Sequence, residues 1–162
     1  MSNPAFNVFP TESAFSAEVL QNNFIFLPDD FTGTWKGEDK AITVADDGMG
    51  GVAPKVVTTE KTIELTCDED GALTGTVSYV VITGNGHDHT GAAVRSGSED
   101  VIGFVNTANG QIALVEYNTT LANSESGTFR GFLTNDNSLE ITQTQTYPNA
   151  NPLVSIMRLP KV

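Results

Sequence analysis

A chain of 162 residues suffices for one domain with a closed hydrophobic core. Its formal charge of -12, from 8 Lys+Arg against 20 Asp+Glu, argues against nucleic acid or an anionic membrane surface as partner, since either needs clustered cations. A single cysteine excludes a disulfide scaffold, and a Val, Ile and Thr total of 43 favours an all-β fold, because β-branched side chains fit a pleated surface better than a helix.

Residues 1–31 read as an N-terminal leader, distinct from a domain at 32–162. The run Thr11-Glu12-Ser13-Ala14-Phe15-Ser16-Ala17-Glu18-Val19-Leu20 predicts a short helix, with Thr11 or Ser13 as N-cap and early acids that suit the helix dipole. The leader is expected to pack on or near one end of the domain. The first residues lack the basic-then-apolar order of a signal peptide, and no apolar run reaches the roughly 18 residues of a membrane span. A cytoplasmic protein without membrane association is the expectation.

From Phe31 onward the pattern alternates with a period of two and is punctuated by turn residues. Strands are predicted near 32–38, 56–67, 72–84, 99–106, 111–119, 126–134, 138–147 and 153–160. No helical pattern separates them, so sequence neighbours should pair antiparallel in up-and-down order. Such a series closes into an eight-stranded barrel; a two-sheet sandwich is the rival arrangement. Tight turns are expected at Asp68-Glu69-Asp70-Gly71, Thr107-Ala108-Asn109-Gly110 and Asn135-Asp136-Asn137, where Asn and Gly supply positive φ cheaply. The longer connections, 39–55, 85–98, 120–125 and 148–152, alternate with them. Short turns then gather at a closed base and longer loops at a mouth.

The first strand opens on Gly33-Thr34-Trp35, and the last closes on Ile156-Met157-Arg158-Leu159-Pro160 at the same end. In these residues the chain resembles the calycins, the superfamily of lipocalins and avidins, as an outlying member. The resemblance implies Arg158 laid over Trp35 to seal the base, and segment 39–55 as the large first loop over the mouth. Asp70-Gly71-Ala72-Leu73-Thr74-Gly75-Thr76 is similar to the opening strands of streptavidin-type proteins. Trp35 is the only tryptophan, so the indole cage with which avidins hold biotin has no counterpart and biotin binding is not expected. The two residues after the last predicted strand leave no room for the lipocalins' C-terminal helix.

Alternation also sorts the faces. Leu139, Ile141, Gln143, Gln145 and Tyr147 share the inward side of one strand, and Ile112, Leu114, Glu116 and Asn118 that of another. Both run from aliphatic at the base to polar at the mouth. Leu73, Val77, Tyr79 and Val81, with Gly127, Phe129, Gly131 and Leu133, complete an apolar floor beneath a polar upper wall. A one-residue register slip would turn Glu116, Gln143 and Gln145 to solvent instead. The inward reading describes a small-molecule site, mostly apolar with a few placed polar groups. The expected function is binding of a small, mostly hydrophobic molecule with a polar end, using Tyr79, Leu114, Glu116, Phe129, Gln143, Gln145 and Tyr147.

Two alternatives stand beside it. Calycin-like barrels include isomerases, cyclases and decarboxylases, and a buried Glu116 with Tyr117 or Tyr147 would supply an acid–base pair. A filled interior with an apolar outer wall would instead mark a structural or interaction barrel, which can form homo-oligomers. His87 and His89 flank Asp88 in a loop, a permissive spacing for a divalent metal that needs a third ligand, for which Asp46, Asp47 and Asp88 are the candidates. No nucleophile elbow, Walker loop, dinucleotide fingerprint or CxxC occurs, so no cofactor is expected. Cys67 reads as a small apolar packer.

Overall fold

The computed structural model describes residues 26–46, 49, 51–84, 86–87, 93–94, 96–117, 127–145 and 152–162. The alternating segments form β1 (Gly33–Asp46), β2 (Val52–Cys67), β3 (Ala72–Thr83), β6 (Ser96–Asn106), β7 (Gln111–Tyr117), β8 (Gly127–Leu133), β9 (Ser138–Gln145) and β10 (Leu153–Pro160). Two short strands, β4 (Gly86–His87) and β5 (Ala93–Val94), pair only with each other between β3 and β6. The eight long strands close into one antiparallel barrel in the order β1-β10-β9-β8-β7-β6-β3-β2, which excludes the sandwich. Each strand lies beside its sequence neighbour, and β1 closes the ring on β10.

The strand boundaries differ from expectation chiefly at the first hairpin. Segment 39–55, expected as a long loop, is mostly strand: β1 and β2 stay paired from Gly33↔Leu65 to Asp46↔Val52. The charged run Lys36-Gly37-Glu38-Asp39-Lys40 hid this extension. Its alternation places Lys36 outward, bonded to Glu60 at 2.8 Å, and Asp39 inward. The large first loop implied by the calycin resemblance is therefore replaced by a tall hairpin.

The base is sealed by side chains from several elements. Trp35 is fully buried, and its Nε1–H donates to the Asn137 carbonyl at 3.0 Å, in the β8–β9 turn. Asn137 takes positive φ there, as an Asn in a tight turn readily does. The cation above the indole is Lys161, whose Nζ stands 5.0 Å from the ring centroid and donates to the Asp30 carbonyl at 3.1 Å. Arg158 does not perform this role. It alternates with the inward Met157 and Leu159, so it points outward, 57% exposed, onto Asp136 and Glu140. The Thr134 hydroxyl, then the Arg158 guanidinium, hold the Asp136 carboxyl below the usual range.

A 3-10 turn at Pro28–Phe31 crosses the same end and drives Phe31 into the core. Phe26 stacks tilted on Phe31 at 5.8 Å and ties back through its N–H to the Thr107 carbonyl. The helix expected over Thr11–Leu20 lies outside the described residues.

Above this seal the core is aliphatic, with Ile63, Leu65, Leu73, Val77, Val101, Ile112, Leu114, Leu133, Leu139, Ile141 and Leu159 joined to Phe129. Inward glycines let neighbouring strands coil closely around it. A Cβ on Gly75 would stand 1.8 Å from the Glu64 carbonyl oxygen, and one on Gly131 would stand 1.9 Å from that of Glu140. Only a residue without a side chain fits such an approach. Gly131→Ala should therefore cost about 2 kcal/mol or more in urea unfolding, a core-type penalty from a single methyl group.

Candidate functional site

The polar residues inside the barrel form a layer of their own above the aliphatic core. Asp39, Lys61, Glu116 and Gln143 are all buried, as are Thr59 and Ser155. Each shares the inward parity of a core residue on its strand: Asp39 with Trp35, Lys61 with Ile63, Glu116 with Leu114, Gln143 with Ile141 and Ser155 with Met157.

The layer is wired across the barrel. Lys61 Nζ lies 2.9 Å from Asp39 Oδ2, with the two side chains 5% and 1% exposed. The same ammonium donates to Gln143 Oε1 and stands 5.8 Å from the Phe129 ring centroid. Gln143 passes the connection on, its Nε2 donating to Glu116 Oε1 at 3.3 Å. Glu116 Oε2 accepts from Gln145 Nε2 at 3.0 Å and from the Gly127 backbone N–H at 2.8 Å. A Cβ on Gly127 would collide with that carboxylate at 2.3 Å, so glycine makes the backbone contact possible.

One wall of this layer is incompletely bonded. Among the described residues, Asp39 Oδ1, Thr59 Oγ1 and Ser155 Oγ are buried without a hydrogen-bond partner, and Asp39 Oδ2 has only the lysine as ion-pair contact. Asp39 and Thr59 face each other across β1 and β2, while Ser155 on β10 faces Ala41, one inward position above Asp39. Toward the mouth the interior becomes apolar again: Ala41 and Val57 are buried hydrophobics that stand apart from the main core cluster. Asp39 and Thr59 thus lie between the aliphatic core and this apolar pair, the collar, with Ser155 level with Ala41.

The expected site residues divide as follows. Glu116, Gln143 and Gln145 face inward and meet one another. Leu114 and Phe129 are wholly buried in the core beneath them. Tyr79 lies half-buried on the inner side opposite Gly97, where an added Cβ would meet its ring at 2.7 Å. Tyr117 does not join the site: adjacent residues of a strand point to opposite faces, and with Glu116 inward Tyr117 lies on the outer wall. Glu116 and Tyr117 therefore point to opposite sides of β7. Tyr147 and His89 lie outside the described residues, as does the side chain of His87. The groups missed by sequence reading are Asp39, Thr59, Lys61 and Ser155, each legible from parity with an apolar neighbour on its strand.

Cys67 is buried near the base, and burial first, then the charges of Asp68 and Asp29, push its thiol up from the ordinary value. On the outer wall Ile42, Val56, Val154 and Ile156 sit on neighbouring strands and are exposed, Ile156 to 77%. No family model and no curated protein matches the chain.

The ion pair makes a direct prediction. Lys61→Met leaves Asp39 buried without its counter-charge and should lose about 3–5 kcal/mol in chemical denaturation, whereas Asp39→Asn with Lys61→Met should recover most of that loss. Cys67 provides a second. Its raised thiol pKa means that the unfolded chain releases this proton first as pH rises, so the fold loses stability on the alkaline side. At mildly alkaline pH iodoacetamide should alkylate Cys67 far more slowly in the folded protein than in urea.

Proposed function

We propose that this barrel is a calycin-like binding module for a small, mostly hydrophobic molecule with a polar end. The molecule enters from the mouth, lays its apolar body against Ala41 and Val57, and turns its polar end down to the layer of Asp39, Lys61, Gln143 and Glu116. Tyr79 and Gln145 flank that position. The observation that carries the reading is the unbonded wall of Asp39, Thr59 and Ser155 next to an apolar collar. A buried polar group without a partner costs about 1–3 kcal/mol, and a ligand supplying the missing bonds would offset it. The closed meander and the Trp35 seal support the calycin-like assignment.

A second reading rests on the outer wall. Ile42, Val56, Val154 and Ile156 form an exposed apolar strip of the kind that serves self-association or a protein partner. One experiment separates the two. The neutral fluorophore N-phenyl-1-naphthylamine should brighten on binding the wild-type protein. Ala41→Phe, which fills the collar, should weaken that binding by about tenfold or more, and the outward Ile42→Asp should leave it unchanged. Loss on Ile42→Asp with retention on Ala41→Phe would move the binding surface to the outer wall. Absence of any binding would remove the interior reading.

A further inference from the structure

The unbonded wall also limits the ligand's chemistry. Resting on the reading of the interior as a binding site, we infer that the ligand's polar end is a neutral group that both donates and accepts hydrogen bonds, such as a carboxamide or a hydroxyl. Asp39 Oδ1 is an acceptor that lacks a donor, while Thr59 Oγ1 and Ser155 Oγ each carry a hydrogen that lacks an acceptor. All three belong to adjacent strands. Asp39 is directly opposite Thr59, and Ser155 is one inward step away on the other side of β1. Such neighbours stand about 5–8 Å apart, a span that a head of a few atoms can bridge.

Ionic heads match these groups less well than a neutral one. The Asp39–Lys61 pair is balanced, and its opposite charges are only 2.9 Å apart. A carboxylate head drawn to Lys61 would press against Asp39. An ammonium head drawn to Asp39 would press against Lys61. Hydrogen bonding counts against both: a carboxylate has no hydrogen to give Asp39 Oδ1, and an ammonium has no acceptor for the Thr59 and Ser155 hydroxyls. A neutral head meets no like charge: it donates to Asp39 and accepts from Thr59 and Ser155.

The test compares four ligands of equal chain length, decanamide, decanol, decanoate and decylamine, by calorimetry on the full chain. Decanamide and decanol should bind about tenfold or more tightly than decanoate and decylamine. The combined variant Thr59→Val with Ser155→Ala replaces two unbonded hydroxyls by apolar groups. It should melt at or above the wild-type temperature yet bind decanamide about tenfold more weakly, a pairing that a purely structural role for these hydroxyls would not produce. If that variant fails to fold, Ser155→Ala alone supplies the same comparison. Decanoate or decylamine binding as tightly as decanamide would overturn the neutral-head inference while leaving the binding module in place. Unchanged decanamide affinity in the variant would do the same. Failure of all four ligands to bind would overturn both.

Discussion

Closing eight strands on themselves leaves no edge, and it also fixes the width of the space inside. Every second residue of every long strand must then occupy a volume that the backbone has already set. Most of this chain's interior meets that constraint with branched aliphatic side chains. Where the strands coil closest, as at Gly75 and Gly131, it is met by having no side chain at all. At the base it is met by Trp35 and Phe31, whose rings fill the cross-section that smaller residues would leave open. The closed floor is thus a consequence of barrel geometry.

Higher in the barrel the constraint is met differently. Asp39, Lys61, Gln143 and Glu116 occupy positions that an aliphatic side chain could fill at lower electrostatic cost. Replacing a buried ion pair by apolar residues of similar volume is often neutral or stabilising. The layer therefore is not accounted for by stability alone. Its arms are well supported where they cross the barrel: Lys61 bridges Asp39 and Gln143, and Glu116 accepts from two amides and a backbone N–H. Its weak point is local, on β1, β2 and β10, where three polar atoms have no partner among the described residues. The network is bonded on one side, and its unbonded atoms lie on the side next to Ala41 and Val57.

Much of this architecture was legible in the sequence because a period of two survives wherever one face is apolar and the other is Thr-rich. The strands β7 and β9 were readable in this way, and with them the inward setting of Glu116 and Gln143, because each follows aliphatic residues of the same parity. Asp39 and Lys61 carry the same parity signal, with Trp35 and Ile63, but charged residues amid other charges read first as a solvated segment. The base shows a related limit. Arg158 and Lys161 both lie near the chain's end, and a resemblance selected the arginine as the cation over Trp35. Strand parity sends Arg158 outward, while Lys161, paired with Trp35 just past β10, reaches the indole.

The seal and the polar layer are linked through β1. Trp35 and Asp39 lie four residues apart on the same inward face, so anchoring the indole to Asn137 also fixes the height at which Asp39 enters the barrel. A one-residue slip of β1 would send both outward, exposing the largest core side chain and breaking the only ion pair within the described interior. The register that closes the floor is therefore the register that assembles the polar layer. The base holds no candidate chemistry of its own, yet it determines the placement of the carboxylate on which the recognition of a ligand would turn.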